Sequence, residues 1–127
     1  MESKQEDFLY KDLTFKIIGI AMEVHRELGF GFLEKVYENA LMIAFRLAGI
    51  KVVQQAAIKV YYRGEIVGEY VADILVEDKV ILELKSQDKI TDVHRAQTLN
   101  YLKATNLKVA LILNFGKRSL EHERLVR

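Results

Sequence analysis

Apolar residues first recur along the chain at a spacing near 3.6: Phe15, Ile18, Met22, His25 and Leu28 define one helix, and Gly29 follows as a stop. Lys16, Glu23, Arg26 and Glu27 fall on its polar side. A second helix is predicted from Leu33 to Ala48, closed by Gly49, with Leu33, Val36, Tyr37, Ala40, Leu41, Ala44 and Leu47 as its stripe. From Lys51 the period drops to two. The stretch predicts a strand, a short turn at Arg63–Gly64, a second strand reaching Val76, and a third from Lys79 to Ser86. A third helix starts at the N-cap Thr91 and runs to Thr105 or Asn106. LKVALILNF is then a strand buried on both faces, with a crossover behind it long enough for parallel pairing. The charged end GKRSLEHERLVR suits an exposed edge strand. The order α-α-β-β-β-α-β, with this further edge strand, predicts an α/β (α+β) fold with helices packed on a mixed sheet, in one domain over residues 1–127.

The hairpin YVADILVEDKVILELK, Tyr70 to Lys85, carries the unusual chemistry. With a three-residue loop centred on Asp78, cross-strand partners have numbers summing to 156, so Asp73 faces Glu83 and Lys85 lies beside them. Ala72, Ile74 and Val76 with Leu84, Leu82 and Val80 make the opposite, apolar face, to be covered by helices. A two-residue loop would scatter the charges, so the alternation on both strands favours an odd-length connection.

Composition narrows the setting. The chain is 127 residues long, half hydrophobic, with a formal charge of +1 and neither cysteine nor proline. Disulfides and thiolate metal sites are excluded. Any phosphate-binding surface must be local, and Lys35, Arg95, Lys103 and Arg118 are its candidates. No apolar run approaches the ~20 residues of a membrane helix, and the polar, acidic opening MESKQED is unlike a secretory signal, so a cytoplasmic protein is expected.

Two carboxylates and an ammonium on a half-buried sheet cost several kcal/mol unless they are paired or bind an ion. Three readings stand side by side. Lys85 could neutralise Asp73 or Glu83, with Arg95 or solvent managing the remaining charge. Alternatively Asp73, Glu83 and the backbone carbonyl of Leu84 could hold a hard divalent cation, since Mg²⁺ favours carboxylate, carbonyl and water oxygens. In the third, such a cation activates water while Lys85 orients the nucleophile or steadies a phosphate. On helix two, Glu34 and Glu38 stand four apart at one border of the apolar stripe, where both could equally be surface charges. His25, on the apolar stripe of helix one, reads as a core residue.

Ala72-Asp73, nine residues, then Glu83-Leu84-Lys85 resembles the motif of the PD-(D/E)XK nuclease superfamily, with alanine where the name has proline. Gln97-Thr-Leu-Asn-Tyr101 is similar to the QxxxY element of its recombination-nuclease and exonuclease branch. Gly31-Phe-Leu-Glu34-Lys-Val-Tyr37 resembles the signature of the small GxxExxY proteins of the same superfamily. The resemblance implies a restriction-endonuclease-like core and a Mg²⁺- or Mn²⁺-dependent nuclease acting on DNA, with RNA as the other open substrate. It implies Asp73 and Glu83 as metal ligands and Lys85 as the catalytic lysine. Glu34 completes the acidic cluster, ahead of Glu38, while Gln97 and Tyr101 position water or phosphate. A homodimer would supply two sites for cutting both strands. The alternatives from other classes are a non-catalytic or partner-dependent module that keeps the fold to bind nucleic acid or protein, and a purely structural salt-bridge cluster.

Overall fold

The computed structural model describes residues 10–127. Helices α1 (Lys11–Leu28) and α2 (Glu34–Leu47) precede strands β1 (Val52–Tyr62), β2 (Glu65–Val76) and β3 (Val80–Lys85). Helix α3 (Asp92–Thr105) then leads to β4 (Val109–Asn114) and β5 (Glu121–Val126). The strands lie in one sheet in the order β1-β2-β3-β4-β5. All neighbours are antiparallel except β3 and β4, which α3 joins as a parallel pair. The element order expected from the periodicity is therefore present, including the edge strand at the end.

Turn chemistry sets the registers. Arg63 and Gly64 both take positive φ, the pairing that matches a tight hairpin to the twist of its strands. Between β2 and β3 the loop is Glu77–Asp78–Lys79, with Glu77 and Asp78 left-handed and an exposed ion pair from Lys51 to Asp78 at 2.7 Å. Its odd length gives the pairs Ile74↔Leu82, Leu75↔Ile81 and Val76↔Val80, each summing to 156 as the alternation predicts.

The sheet separates two cores. Ile74, Val76, Leu82, Leu84, Leu111 and Leu113 pack with Ile17, Ala21, Tyr37, Leu41 and Phe45 of α1 and α2. On the other side Ile58, Ala72, Ile81 and Ala110 pack with Tyr101 and Leu102 of α3. Thus Ala72 does not share a cluster with Ile74 as alternation would have it. The cause is local: Gln55 of β1 takes φ 55°, and the ladder skips it and Asp73 between Gln54↔Ile74 and Ala56↔Ala72.

Two helical stripes also shift. On α1 the buried residues are Thr14, Ile17, Ala21, Val24 and His25, whereas Phe15 is 80% exposed and Met22 is exposed too. The helix is apolar around much of its girth, so Ile17, Ala21, Val24 and Leu28 make an equally regular stripe, and periodicity alone could not choose between them. On α2 the buried set is Tyr37, Glu38, Leu41 and Phe45, with Leu33, Val36 and Leu47 exposed.

Candidate active site

The site lies where β2 and β3 part. Their ladder ends at Ile74↔Leu82, while β3 continues beside β4 to Lys85↔Asn114 and β2 continues back along β1. Two N–H groups in the fork therefore lack a strand partner, and carboxylates replace it. The Asp73 N–H donates to Glu83 Oε2 at 3.0 Å, and the Leu84 N–H donates to Asp73 Oδ2 at 2.7 Å. Asp73 and Glu83 are thus locked face to face, each charge held partly by the other strand's backbone.

Burial dominates the electrostatics here. Glu83 is 5% exposed, and burial, followed by the neighbouring Asp73 charge, pushes its carboxyl up to about 8. Asp73 is also raised, first by burial, with the Leu84 N–H opposing and the charges of Glu38 and Glu34 adding to the rise. Lys85 lowers both carboxyls through space, yet among the described residues its ammonium forms no ion pair with either. Arg95 does not serve them either: it binds Glu123 at 2.6 Å and Asp92 at 2.8 Å. The neutralised salt-bridge cluster is therefore not what the fork contains.

Helix α2 brings two further carboxylates with different fates. Glu38, 4% exposed, accepts hydrogen bonds from Gln54 and Gln55 and pairs with Lys35 at 2.9 Å. Its bonding capacity is taken up in tying α2 to the irregular stretch of β1. Glu34, in the first turn of α2, is half-buried and has no hydrogen bond or ion pair among the described residues; its charge acts on Asp73, Glu83 and His94. The Gly31…Glu34…Tyr37 spacing acquires a physical meaning. Gly31 takes φ 111°, a conformation open to glycine, in the loop that delivers Glu34. Tyr37, wholly buried and stacked on Phe115 at 4.5 Å, donates to the Gly29 carbonyl at 2.6 Å and accepts from the Phe32 N–H.

Glu34, Glu38, Asp73 and Asp88 line a hollow of about 660 Å³ together with Gln55, Lys35 and the segment Ser86–Gln87. Its rim is fixed by Ser86, which donates to the Phe32 carbonyl, and by the buried Asn114, whose amide holds both the N–H and the carbonyl of Gln87. A Cβ at Gly116 would fall 2.3 Å from the Gln87 carbonyl oxygen and 2.4 Å from its nitrogen. Gly116→Ala is thus expected to lower stability by ~3 kcal/mol through overpacking, read as an earlier midpoint in urea denaturation; an unchanged midpoint would contradict this packing.

On the α3 side, Gln97 and Tyr101 meet each other, the Gln97 amide donating to the Tyr101 hydroxyl at 2.9 Å. Burial and then the Glu83 charge raise Tyr101 above the ordinary phenol value. Both line a second hollow, between α3 and the distal part of β1 and β2, and not the carboxylate-lined one. His94 closes the capping box of α3 with Thr91, and burial, then the Lys85 charge, holds its imidazole low. His25 binds the Lys117 carbonyl at 2.7 Å and anchors α1 to the β4–β5 loop. Residues that periodicity alone did not single out are Gln54, Gln55 and Asn114; an amide in an apolar or strand run is their only sequence signal.

Among the described residues no three His, Asp or Glu side chains are gathered as a ready-made metal cluster. The donor set nevertheless suits a hard cation that keeps several waters and takes one or two carboxylates: Asp73, Glu83 and the adjacent Leu84 carbonyl are all oxygen donors, and the two carboxyls have no ion-pair partner among the described residues.

A family model described as the PD-(D/E)XK nuclease superfamily matches residues 11–125. Among solved structures the chain is similar to SSO0001, with 12% identity and a TM-score of 0.57, over 73% of this chain and 49% of that one; it spans about half that protein's length. It is also similar to an alkaline exonuclease (LHK-Exo) from Laribacter hongkongensis, with 14% identity and a TM-score of 0.49, over 85% of this chain and 67% of that one. No curated protein matches the chain.

Proposed function

We propose, given that the chain belongs to the PD-(D/E)XK nuclease superfamily, that it hydrolyses DNA phosphodiester bonds at the fork between β2 and β3 with Mg²⁺ or Mn²⁺. Within the superfamily, the spacing of Gly31, Glu34 and Tyr37 supports a likeness to the GxxExxY proteins. The observation that carries it is an acidic pair, the buried Glu83 and the half-buried Asp73, facing each other beside Lys85 with no ion pair to either among the described residues. Such an arrangement is costly as structure and suited to an ion and a phosphate.

Asp73, Glu83 and the Leu84 carbonyl would hold the cation, with Glu34 bound to it directly or through water. When bound, it supplies a Lewis acid for the phosphate and a more acidic water. Glu83 keeps its proton at neutral pH in the absence of the ion and gives it up on binding, so cation affinity rises with pH. Lys85 meets the non-bridging phosphate oxygens, stabilising charge that grows towards the transition state. Tyr101 accepts from Gln97, which leaves its own O–H free to donate to water or phosphate.

A partner-dependent module is the second reading, favoured by one observation: both carboxylates are already engaged by backbone N–H groups. The test is direct. Purified protein with Mg²⁺ or Mn²⁺ is expected to cut DNA, a chelator to stop it, and added cation to restore it; no cutting together with no cation-induced rise in melting temperature would favour the module.

A further inference from the structure

The two hollows differ in chemistry. The first holds four carboxylates, Glu34, Glu38, Asp73 and Asp88, against one ammonium, Lys35. The second, about 910 Å³, has no carboxylate in its lining and one charged side chain, Lys103. Its walls are the distal half of the β1–β2 pair, where β2 has left β3, and the outward face of α3. A polyanion is repelled by the first hollow unless cations intervene. The second has nothing to repel it.

The second hollow also presents flat rings and amides. Tyr61 is 59% exposed and Tyr70 is 51% exposed, although an apolar fold gains by burying such rings. Tyr70 lies against Tyr101 with ring centroids 5.6 Å apart, and Tyr101 packs in one cluster with Ala72, the residue next to Asp73. A chain resting on Tyr61 and Tyr70 therefore lies along the strand that carries Asp73. Gln97 and Asn100 are exposed on the α3 wall, where their amides can donate to and accept from base edges. Rings on which bases stack beside a cation that meets phosphate are the means by which proteins hold unpaired strands; in a blunt duplex the bases are already stacked on one another.

We propose that the groove between α3 and the distal β1–β2 pair takes an unpaired segment of the DNA strand, its bases stacked on Tyr61 and Tyr70 and a phosphate on Lys103. The inference rests on the nuclease reading and adds the substrate form: single strands, flaps or frayed ends in preference to blunt duplex.

Binding is measured by fluorescence anisotropy with a labelled oligothymidylate and a blunt duplex of equal length, in chelator so that nothing is cut. The single strand is expected to bind more tightly than the duplex. Tyr61→Ala should weaken it between about fivefold and a hundredfold, the range for one lost base stack, and Tyr61→Phe should retain it, separating ring from fold. Lys103→Ala should reduce the salt dependence by about one phosphate contact. Equal binding by wild type and Tyr61→Ala, or a preference for the blunt duplex, overturns the proposal. So does a dimer that Tyr61→Ala dissociates in analytical ultracentrifugation, since a second copy would then occupy the groove. Cutting with Mg²⁺ is scored separately: binding as described without any cutting keeps the groove and sinks the nuclease reading, whereas cutting with Tyr61→Ala binding as wild type does the reverse.

Discussion

Glu83→Gln is expected to abolish cation-dependent cutting and, in the same molecule, to stabilise the metal-free protein at pH 8. The first effect removes a carboxylate from the cation; a loss of at least about a thousandfold in rate is expected if the water is activated there. The second follows from linkage. In the folded chain the Glu83 carboxyl is raised to about 8 from 4.5, by burial first and Asp73 second. Between those pH values the native state holds a proton that the unfolded state has released, so stability falls as pH rises through this window and levels off above it. The full contribution is on the order of 3–5 kcal/mol. Glutamine keeps the oxygen that accepts the Asp73 N–H and cannot ionise. The gap in unfolding free energy between variant and wild type should therefore be small near pH 4.5 and grow towards pH 8. Urea denaturation across this range checks it, and a gap that is flat in pH would remove Glu83 from the buried fork. With Mg²⁺ present at pH 8 the wild type should recover stability and the variant should not.

Lys85→Met is expected to lower the cutting rate by a factor of about 10²–10³, the usual effect of deleting one donor to developing charge, while leaving the cation-induced rise in melting temperature in place. The two readouts separate its role from that of Asp73 and Glu83. Methionine preserves the apolar stem of a half-buried side chain, so the fold should tolerate it. A Lys85 that held the acidic pair together as a structural salt bridge would instead show its effect in stability. Nuclease assays and thermal melts on the same preparation decide between them; an active Lys85→Met variant would take the lysine out of the chemistry.

The strand part of the fold was legible because its signals are local. An odd loop at Asp78 and clean alternation on both sides were enough to set the 156 register, and the unbroken run Val109–Asn114 had no place except a strand covered on both faces. What alternation could not show was the interruption of the β1–β2 ladder at Gln55 and Asp73, across which Ala56 and Ala72 join the other core. The stripes of α1 and α2 were misphased for a related reason. Phe15 and Leu33 are apolar residues at helical spacing, but burial is decided by which phase brings Ala21 and Tyr37 against the sheet. Glu34 and Glu38 looked alike at one border of a stripe. Only the partners Gln54, Gln55 and Lys35, distant in sequence or unremarkable in type, distinguish the engaged carboxylate from the unpaired one.

The early end of the β2–β3 ladder has a mechanical side. Beyond Asp73, β2 is hydrogen-bonded as a strand to β1 alone, so the two strands leave the five-stranded sheet as an arm that takes in eight residues of β2, 65–72. The sheet is covered on both faces by helices, and the arm begins at the irregular pair Gln55 and Asp73. Ile58 and Ala72 in the α3 core, with the Tyr70–Tyr101 ring contact, hold this arm against α3 and so set where β2 leaves Asp73.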